Sequence, residues 1–216
     1  MNKIDGILIA GQMYSGKTIA AEYICELLGY KKFSFARSLK HMASRHYNNG
    51  EMLSKAATYP VYIKDTKSWV QMNGRDIFAK LGEAIKNGFD YSWFYVEESI
   101  FVKEFFKEQK EYFSHRGSLG CRYDGFVMDD NRFEEEYLYF RDQFNVKLIY
   151  IETNEEERIR RAIIRDGIIP TQDQLNSNTE KLAWASKYAD IRIVNEYTNE
   201  KDFFGGLEPK IYELDA

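Results

Sequence analysis

Apolar residues along the chain switch repeatedly between two spacings, and the switches mark its elements. Ile7-Leu8-Ile9-Ala10 is the unbroken apolar run that a strand covered on both faces requires. After a glycine-flanked segment, Ile19, Ala20, Tyr23, Ile24, Leu27 and Leu28 recur at helical spacing, with Gly29 as the stop signal. Lys32-Phe33-Ser34-Phe35-Ala36 reads as a second strand leading into a helix that begins near Ser38. From about Tyr47 to Trp69 no period stands out. Ile77, Phe78, Leu81 and Ile85 predict an amphipathic helix ending at Gly88, and Trp93, Val96, Ile100 and Phe101 another that runs on through Lys103 to Glu108. Ser114 to Asp124 reads as loop.

The second half repeats the alternation. Gly125-Phe126-Val127-Met128 is a buried type of strand ending in Asp129-Asp130, followed by a helix with Phe133, Glu136, Tyr137 and Phe140. Val146 to Ile151 is the next strand, and Asn154 with Glu157 forms a capping-box-like start for a helix carrying Arg158, Arg161 and Arg165. A polar loop around Pro170 to Ser177, a last helix, and the strand Ile191-Arg192-Ile193-Val194 complete the pattern. Strands alternating with helices imply an α/β fold of three layers, α/β/α, around a mainly parallel sheet that binds ligands at the carboxyl ends of its strands.

The segment between the first strand and first helix carries the chemistry. Gly11-Gln12-Met13-Tyr14-Ser15-Gly16-Lys17-Thr18 matches Gly-x-x-x-x-Gly-Lys-Thr, the phosphate loop (P-loop) of NTPases. Glycines at both ends let backbone N–H groups, including those of Met13, Tyr14, Ser15 and Gly16, wrap an anion. Lys17 reaches the β- and γ-phosphates of ATP, and the Thr18 hydroxyl is placed to ligate Mg²⁺. Asp129 and Asp130 end an apolar strand, where such enzymes place the carboxylate that serves the metal; Asp129 is the first choice, with Asp130 left open. Arg132 follows closely enough to reach the same phosphates, in a catalytic role. Arg158, Arg161 and Arg165 fall at i, i+3 and i+7, one stripe that either closes over a triphosphate, with Arg161 as a catalytic charge, or pairs with Glu155, Glu156 and Asp166 as a solvated face. Asn2-Lys3-Ile4-Asp5 fits a guanine-reading pattern but lacks the buried strand that must precede it.

Composition narrows the ligand. At 216 residues the chain suits one α/β domain, and its net charge of −4 lacks the positive excess of a protein that grips a nucleic-acid polymer. Small nucleotide substrates are the expected partners, and a homodimer is compatible with the sequence. Cys25 and Cys121 form no Cys-x-x-Cys pair, no stretch approaches bilayer length, and no signal-peptide layout is present, so a cytoplasmic protein without membrane contact is expected. His41, His46 and His115 have no Ser or Cys partner at a recognisable spacing.

Several separated segments together resemble the phage-type deoxynucleoside monophosphate kinases, within the nucleoside monophosphate (NMP) kinase group of P-loop enzymes. Beyond the loop, Phe33-Ser34-Phe35-Ala36-Arg37-Ser38-Leu39-Lys40 is similar to the family's Phe-Ala-Asp-x-Leu-Lys, with Arg37 in place of the acid. Gly74 to Gly82 resembles its Arg-x-x-Leu-Gln-x-Leu-Gly helix, Phe89 to Trp93 its acid-aromatic-Trp segment, and Asp130 to Glu136 its Asp-x-Arg-Phe-x-x-Glu. Ala189 to Asn195 resembles the final strand. The resemblance implies a single kinase domain over 1–216, with an NMP-binding helical insertion at about 37–112 and an arginine-bearing lid at about 154–180. It also implies that ATP·Mg²⁺ phosphorylates a deoxynucleoside 5′-monophosphate. Arg37, Lys40, Arg75, Trp93, Asp130, Arg132 and Glu136 would face the acceptor, and Arg158 and Asn195 the ATP. Lys86-Asn87 stands where the family often has an arginine. A kinase of another small metabolite, such as dephospho-coenzyme A, and a polynucleotide 5′-end kinase are the alternatives; a nucleotide switch or motor ATPase finds no supporting motif.

Overall fold

The computed structural model describes residues 4–34, 40, 43–44, 47–49, 51–54, 57–63, 67–78, 80, 125–177 and 180–215. The chain divides into two units, Met1–Ser34 with Cys121–Ala216, and Phe35–Gly120.

The first unit is built on five strands, all pairing parallel. In chain order its elements are β1 (Gly6–Gly11), α1 (Lys17–Leu28) and β2 (Lys31–Phe33) before the second unit. After it come β5 (Phe126–Met128), α2 (Glu134–Gln143), β6 (Val146–Glu152), α3 (Glu155–Asp166), α4 (Gln172–Leu175), α5 (Ala183–Tyr188), β7 (Ile191–Val194) and α6 (Glu200–Asp215). The sheet order is β2-β5-β1-β6-β7. The chain leaves β1 toward one edge and later returns to the other side, so the order reverses beside β1 and opens a crevice at its carboxyl end. All six residues of β1 are buried, as a central strand requires.

Because successive side chains point to opposite faces, Ile7 and Ile9 enter one layer and Leu8 and Ala10 the other. The first layer packs Ala20, Ala21 and Ile24 of α1 with Phe203, Leu207 and Ile211 of α6 against Ile149, Ile151, Ile191 and Ile193. Tyr23 of α1 stacks on Phe204 at 4.2 Å between ring centroids. On the other face the Phe126 ring meets Phe140 and Phe144 edge-on. The periodicity of the sequence missed α6 altogether. Gly205, Gly206 and Pro209 read as breakers, yet Phe203, Leu207 and Ile211 recur at i, i+4 and i+8 and bury completely, so packing overrides propensity.

The second unit holds an antiparallel hairpin, β3 (Thr58–Ile63) with β4 (Ser68–Asn73), in the stretch where no period stood out and an insertion of helices was expected. Trp69 and Val70 are exposed there, which erases the alternation a half-buried strand would show. A helical run at 74–78 follows, its first turn held by Asn73, whose Oδ1 accepts from Asp76 N–H at 2.8 Å. Ala43, Leu53, Val61 and Ile77 form this unit's core.

Gly6 carries a packing constraint that can be tested: a Cβ there would lie 2.3 Å from the Phe126 ring, itself wedged between Phe140 and Phe144. Gly6→Ala should therefore cost about 1–3 kcal/mol of stability in urea unfolding. The loss should shrink when Phe126→Leu is added; additive losses would show that the ring is not what excludes the methyl group.

Candidate active site

The turn from β1 into α1 is shaped by two glycines. A Cβ on Gly11 would meet Ser15 Oγ at 2.5 Å and the Ile151 carbonyl at 2.8 Å, and Gly16 has φ +97°, a left-handed conformation that suits glycine. Tyr14 also sits at positive φ, 60°, and is held there by contacts on all sides. Its hydroxyl donates to Asp166 at 2.8 Å, the Arg165 guanidinium lies 4.5 Å over its ring, and its carbonyl accepts from Arg161.

The loop is pinned from the opposite end of the chain. Ser15 O accepts from Asn195 Nδ2 at 2.8 Å and from Thr153 Oγ1 at 3.3 Å. Arg161 donates to the Asn195 and Tyr197 carbonyls, to Asn195 Oδ1 and to Tyr14 O, while Glu157 holds its Nε at 2.8 Å. Arg161 and Asn195, expected at a nucleotide, thus brace the backbone that would hold one.

Four charged side chains converge inside this frame. Lys17 is buried and donates to the Gln12 carbonyl at 2.6 Å. Burial, and next the charge of Arg132, lower its pKa from 10.5 to about 7, against the opposing pull of Glu180, Asp129 and Asp130. Arg158 is 3% exposed, and its Nε and Nη1 have no hydrogen-bond partner. Glu180, 4% exposed, lies between them: Oε2 accepts from Met13 N–H at 2.6 Å and stands 3.7 Å from Arg158 Nη1, while Oε1 accepts from Arg132 at 2.8 Å. The sequence offered no sign of Glu180, a lone acid after a polar loop; only its burial among cations distinguishes it.

The three-arginine stripe therefore divides its work. Arg158 enters the charged cluster, Arg161 braces the loop, and Arg165 lies on Tyr14 and pairs with Asp166 at 2.9 Å.

Asp129 and Asp130 end β5, beside β1 in the sheet, and both act electrostatically on Lys17. Asp129 forms an ion pair with Lys32 at 3.2 Å, and Asp130 accepts from Ser34 Oγ at 2.5 Å. Thr18 is exposed in the first turn of α1. No cluster of three metal-ligating side chains occurs among the described residues. Mg²⁺ needs none, since it binds through one or two protein oxygens plus phosphates and water, so this donor set fits it.

Glu136 Oε2 accepts from the N–H groups of Arg132 and Phe133 at 3.0 and 3.1 Å and from Asn131 Nδ2 at 3.2 Å. It thereby closes the turn that carries Arg132. Lys40 and Arg75 belong to the second unit, and Arg37 and Trp93 lie outside the described residues. Among the described residues no helix is long and apolar enough to cross a membrane.

No protein-family model and no curated protein matches the chain. Solved structures do. TT1252 from Thermus thermophilus is 15% identical over 100% of both chains, with a TM-score of 0.56, which places the three-layer α/β architecture among known folds. A dephospho-CoA kinase from Campylobacter jejuni is 17% identical over 97% of this chain and 96% of its own, TM-score 0.45. A shikimate kinase from Aquifex aeolicus is 12% identical over 97% and 95%, TM-score 0.48.

Glu136 gives the site a pH dependence. Burial of its carboxyl raises its pKa from 4.5 to about 7, against the N–H groups of Arg132 and Phe133, which favour the charged form. An acid whose pKa is raised on folding binds more protons when folded, so its contribution to stability is complete below about 4.5 and is lost as pH rises through about 7. Glu136→Gln should match wild type near pH 4.5 and gain on it by up to roughly 3 kcal/mol toward pH 8, read as Tm against pH. A Tm difference independent of pH would mean the carboxyl titrates normally.

Proposed function

We propose that this protein is a phosphotransferase that moves the γ-phosphoryl group of ATP to the 5′-phosphate of a deoxynucleoside monophosphate. The observation that carries the phosphotransferase reading is the buried cationic cluster at the phosphate loop: Lys17 desolvated, and Arg158 sealed from solvent with two nitrogens unmatched. Buried guanidinium nitrogens whose hydrogen bonds are unmet are costly, even with Glu180 3.7 Å from Arg158 Nη1, and a triphosphate supplies the anionic oxygens that offset this. The acceptor is the finer step. It rests on the resemblance of Phe33 to Lys40, Gly74 to Gly82 and Asp130 to Glu136 to deoxynucleoside monophosphate kinases.

In this reading the loop N–H groups and Lys17 hold the β- and γ-phosphates. Thr18 with Asp129 or Asp130 would hold Mg²⁺, which when bound draws charge from the phosphate oxygens. Arg132 and Arg158 stabilise charge on the transferring group, while the bond from γ-phosphorus to the bridging oxygen breaks and one to an acceptor phosphate oxygen forms. No covalent enzyme intermediate is needed, because phosphoryl transfer at such sites is positioning and charge stabilisation. Arg161 contributes by holding Tyr14 and Asn195.

Purified protein assayed for ATP consumption against deoxy- and ribonucleoside monophosphates, dephospho-coenzyme A and a 5′-hydroxyl oligonucleotide tests the reading. A deoxynucleoside monophosphate should be the preferred acceptor, and preference for either of the last two replaces it. Lys17→Ala should lower turnover by at least about a hundredfold with the fold retained, since it removes the loop's only side-chain cation. Near-normal turnover at saturating ATP would place the donor elsewhere.

A further inference from the structure

The contacts of Glu180 are those that a phosphoryl oxygen would make in a phosphate loop. Its Oε2 takes the Met13 N–H at 2.6 Å, inside the Gly11 to Thr18 segment. Its Oε1 takes Arg132 at 2.8 Å, Arg158 Nη1 lies 3.7 Å away, and its charge is felt by Lys17. The side chain is reached from the far end of the lid segment, 167 residues along the chain from Met13. It is anchored there through its backbone as well: the Glu180 carbonyl accepts from Gln12 Nε2 at 3.3 Å, and its N–H donates to the Ser177 carbonyl at 2.9 Å.

A single N–H proton serves one strong acceptor at a time, and two anions that share one donor set repel each other in a site shielded from water. A terminal phosphate that takes the Met13 N–H and the two guanidiniums must therefore displace the carboxylate. We propose that Glu180 is an internal competitor for the terminal phosphate of a nucleoside triphosphate, seated in the phosphate loop and expelled when that phosphate binds. The proposal rests on the phosphotransferase reading and adds a residue that sets triphosphate affinity. Expulsion also frees Arg132 and Arg158, so that these two cations reach the transferring group only when a ligand rich in oxygens has replaced the carboxylate. A monovalent anion, such as acetate or chloride, gains nothing by the exchange.

The test is calorimetric titration of wild type, Glu180→Gln and Glu180→Ala with ATP·Mg²⁺ and, separately, with inorganic tripolyphosphate, which lacks base and sugar. Both variants should bind both probes about tenfold more tightly or better, because the charge that competes for these donors is gone. If Glu180 instead orients Arg132 and Arg158 for the ligand, both variants bind more weakly, and the proposal is overturned. Equal affinity overturns it too. If both variants fail to fold, the same titrations are read on Glu180→Asp, whose shorter carboxylate cannot span the Met13 N–H and Arg132 together and should bind both probes more tightly; unchanged or weaker binding overturns the proposal. If neither the wild type nor the variants bind either probe, the phosphate-site reading itself falls. If the variants bind more tightly but no acceptor is phosphorylated, the competitor stands while the kinase reading fails.

Discussion

Positive charge buried at a turn is the constraint on which this site depends. Lys17 and Arg158 are both inside the protein, Arg132 is near, and the loop between Gly11 and Lys17 turns the Met13 N–H toward the same place. Removing one such cation from water costs several kcal/mol, so the cluster persists only because carboxylates stand within it. Glu180 is the closest of these, with Asp129 and Asp130 acting on Lys17 from the end of β5. The low pKa of Lys17 follows first from its burial and next from the charge of Arg132, and further negative charge nearby would raise it.

Such a cluster needs a rigid frame, and the fold supplies it through backbone carbonyls rather than through other ligand-facing groups. Ser15 O is held by Asn195 and Thr153, and Tyr14 O by Arg161. With these two carbonyls tied outward, the loop presents the Met13 N–H inward, where Glu180 accepts it. Tyr14 pays a conformational penalty of about 1–2 kcal/mol at positive φ, which the Arg165 and Asp166 contacts offset. Glu136 does the corresponding work for Arg132, fixing the turn from which that guanidinium projects.

The central strands, α1 and the loop were legible in the sequence because their signals are local: an unbroken apolar run, helical spacing, and glycines at fixed offsets. The α3 start was legible for the same reason, since Asn154 Oδ1 accepts from Glu157 N–H at 2.8 Å as the capping pattern implied. Hairpin β3–β4 and helix α6 were not. Trp69 faces solvent against the usual pattern, and α6 keeps its form by burying one face over two glycines and a proline. At the site, residue types were readable but their division of labour was not. Arg158, Arg161 and Arg165 look equivalent on a helical wheel; only the tertiary position of each separates a buried cation beside Glu180 from a brace and from a side chain lying on Tyr14. Glu180 was invisible because its meaning comes from partners distant in the chain.

That distance has a consequence for how the protein comes to exist. The loop and the Asn195 amide that fixes Ser15 O are 180 residues apart in the chain. The central pairing, β1 with β6, likewise joins Gly6 to Val146 and Gly11 to Ile151. A nascent chain that has exposed β1 and α1 therefore carries the phosphate-loop residues without the phosphate-loop shape, and with an apolar strand that has no neighbours. Contacts of such high sequence separation make folding slow. Until β7 docks, the chain has the residues of the loop without the Asn195 contact that fixes Ser15 O.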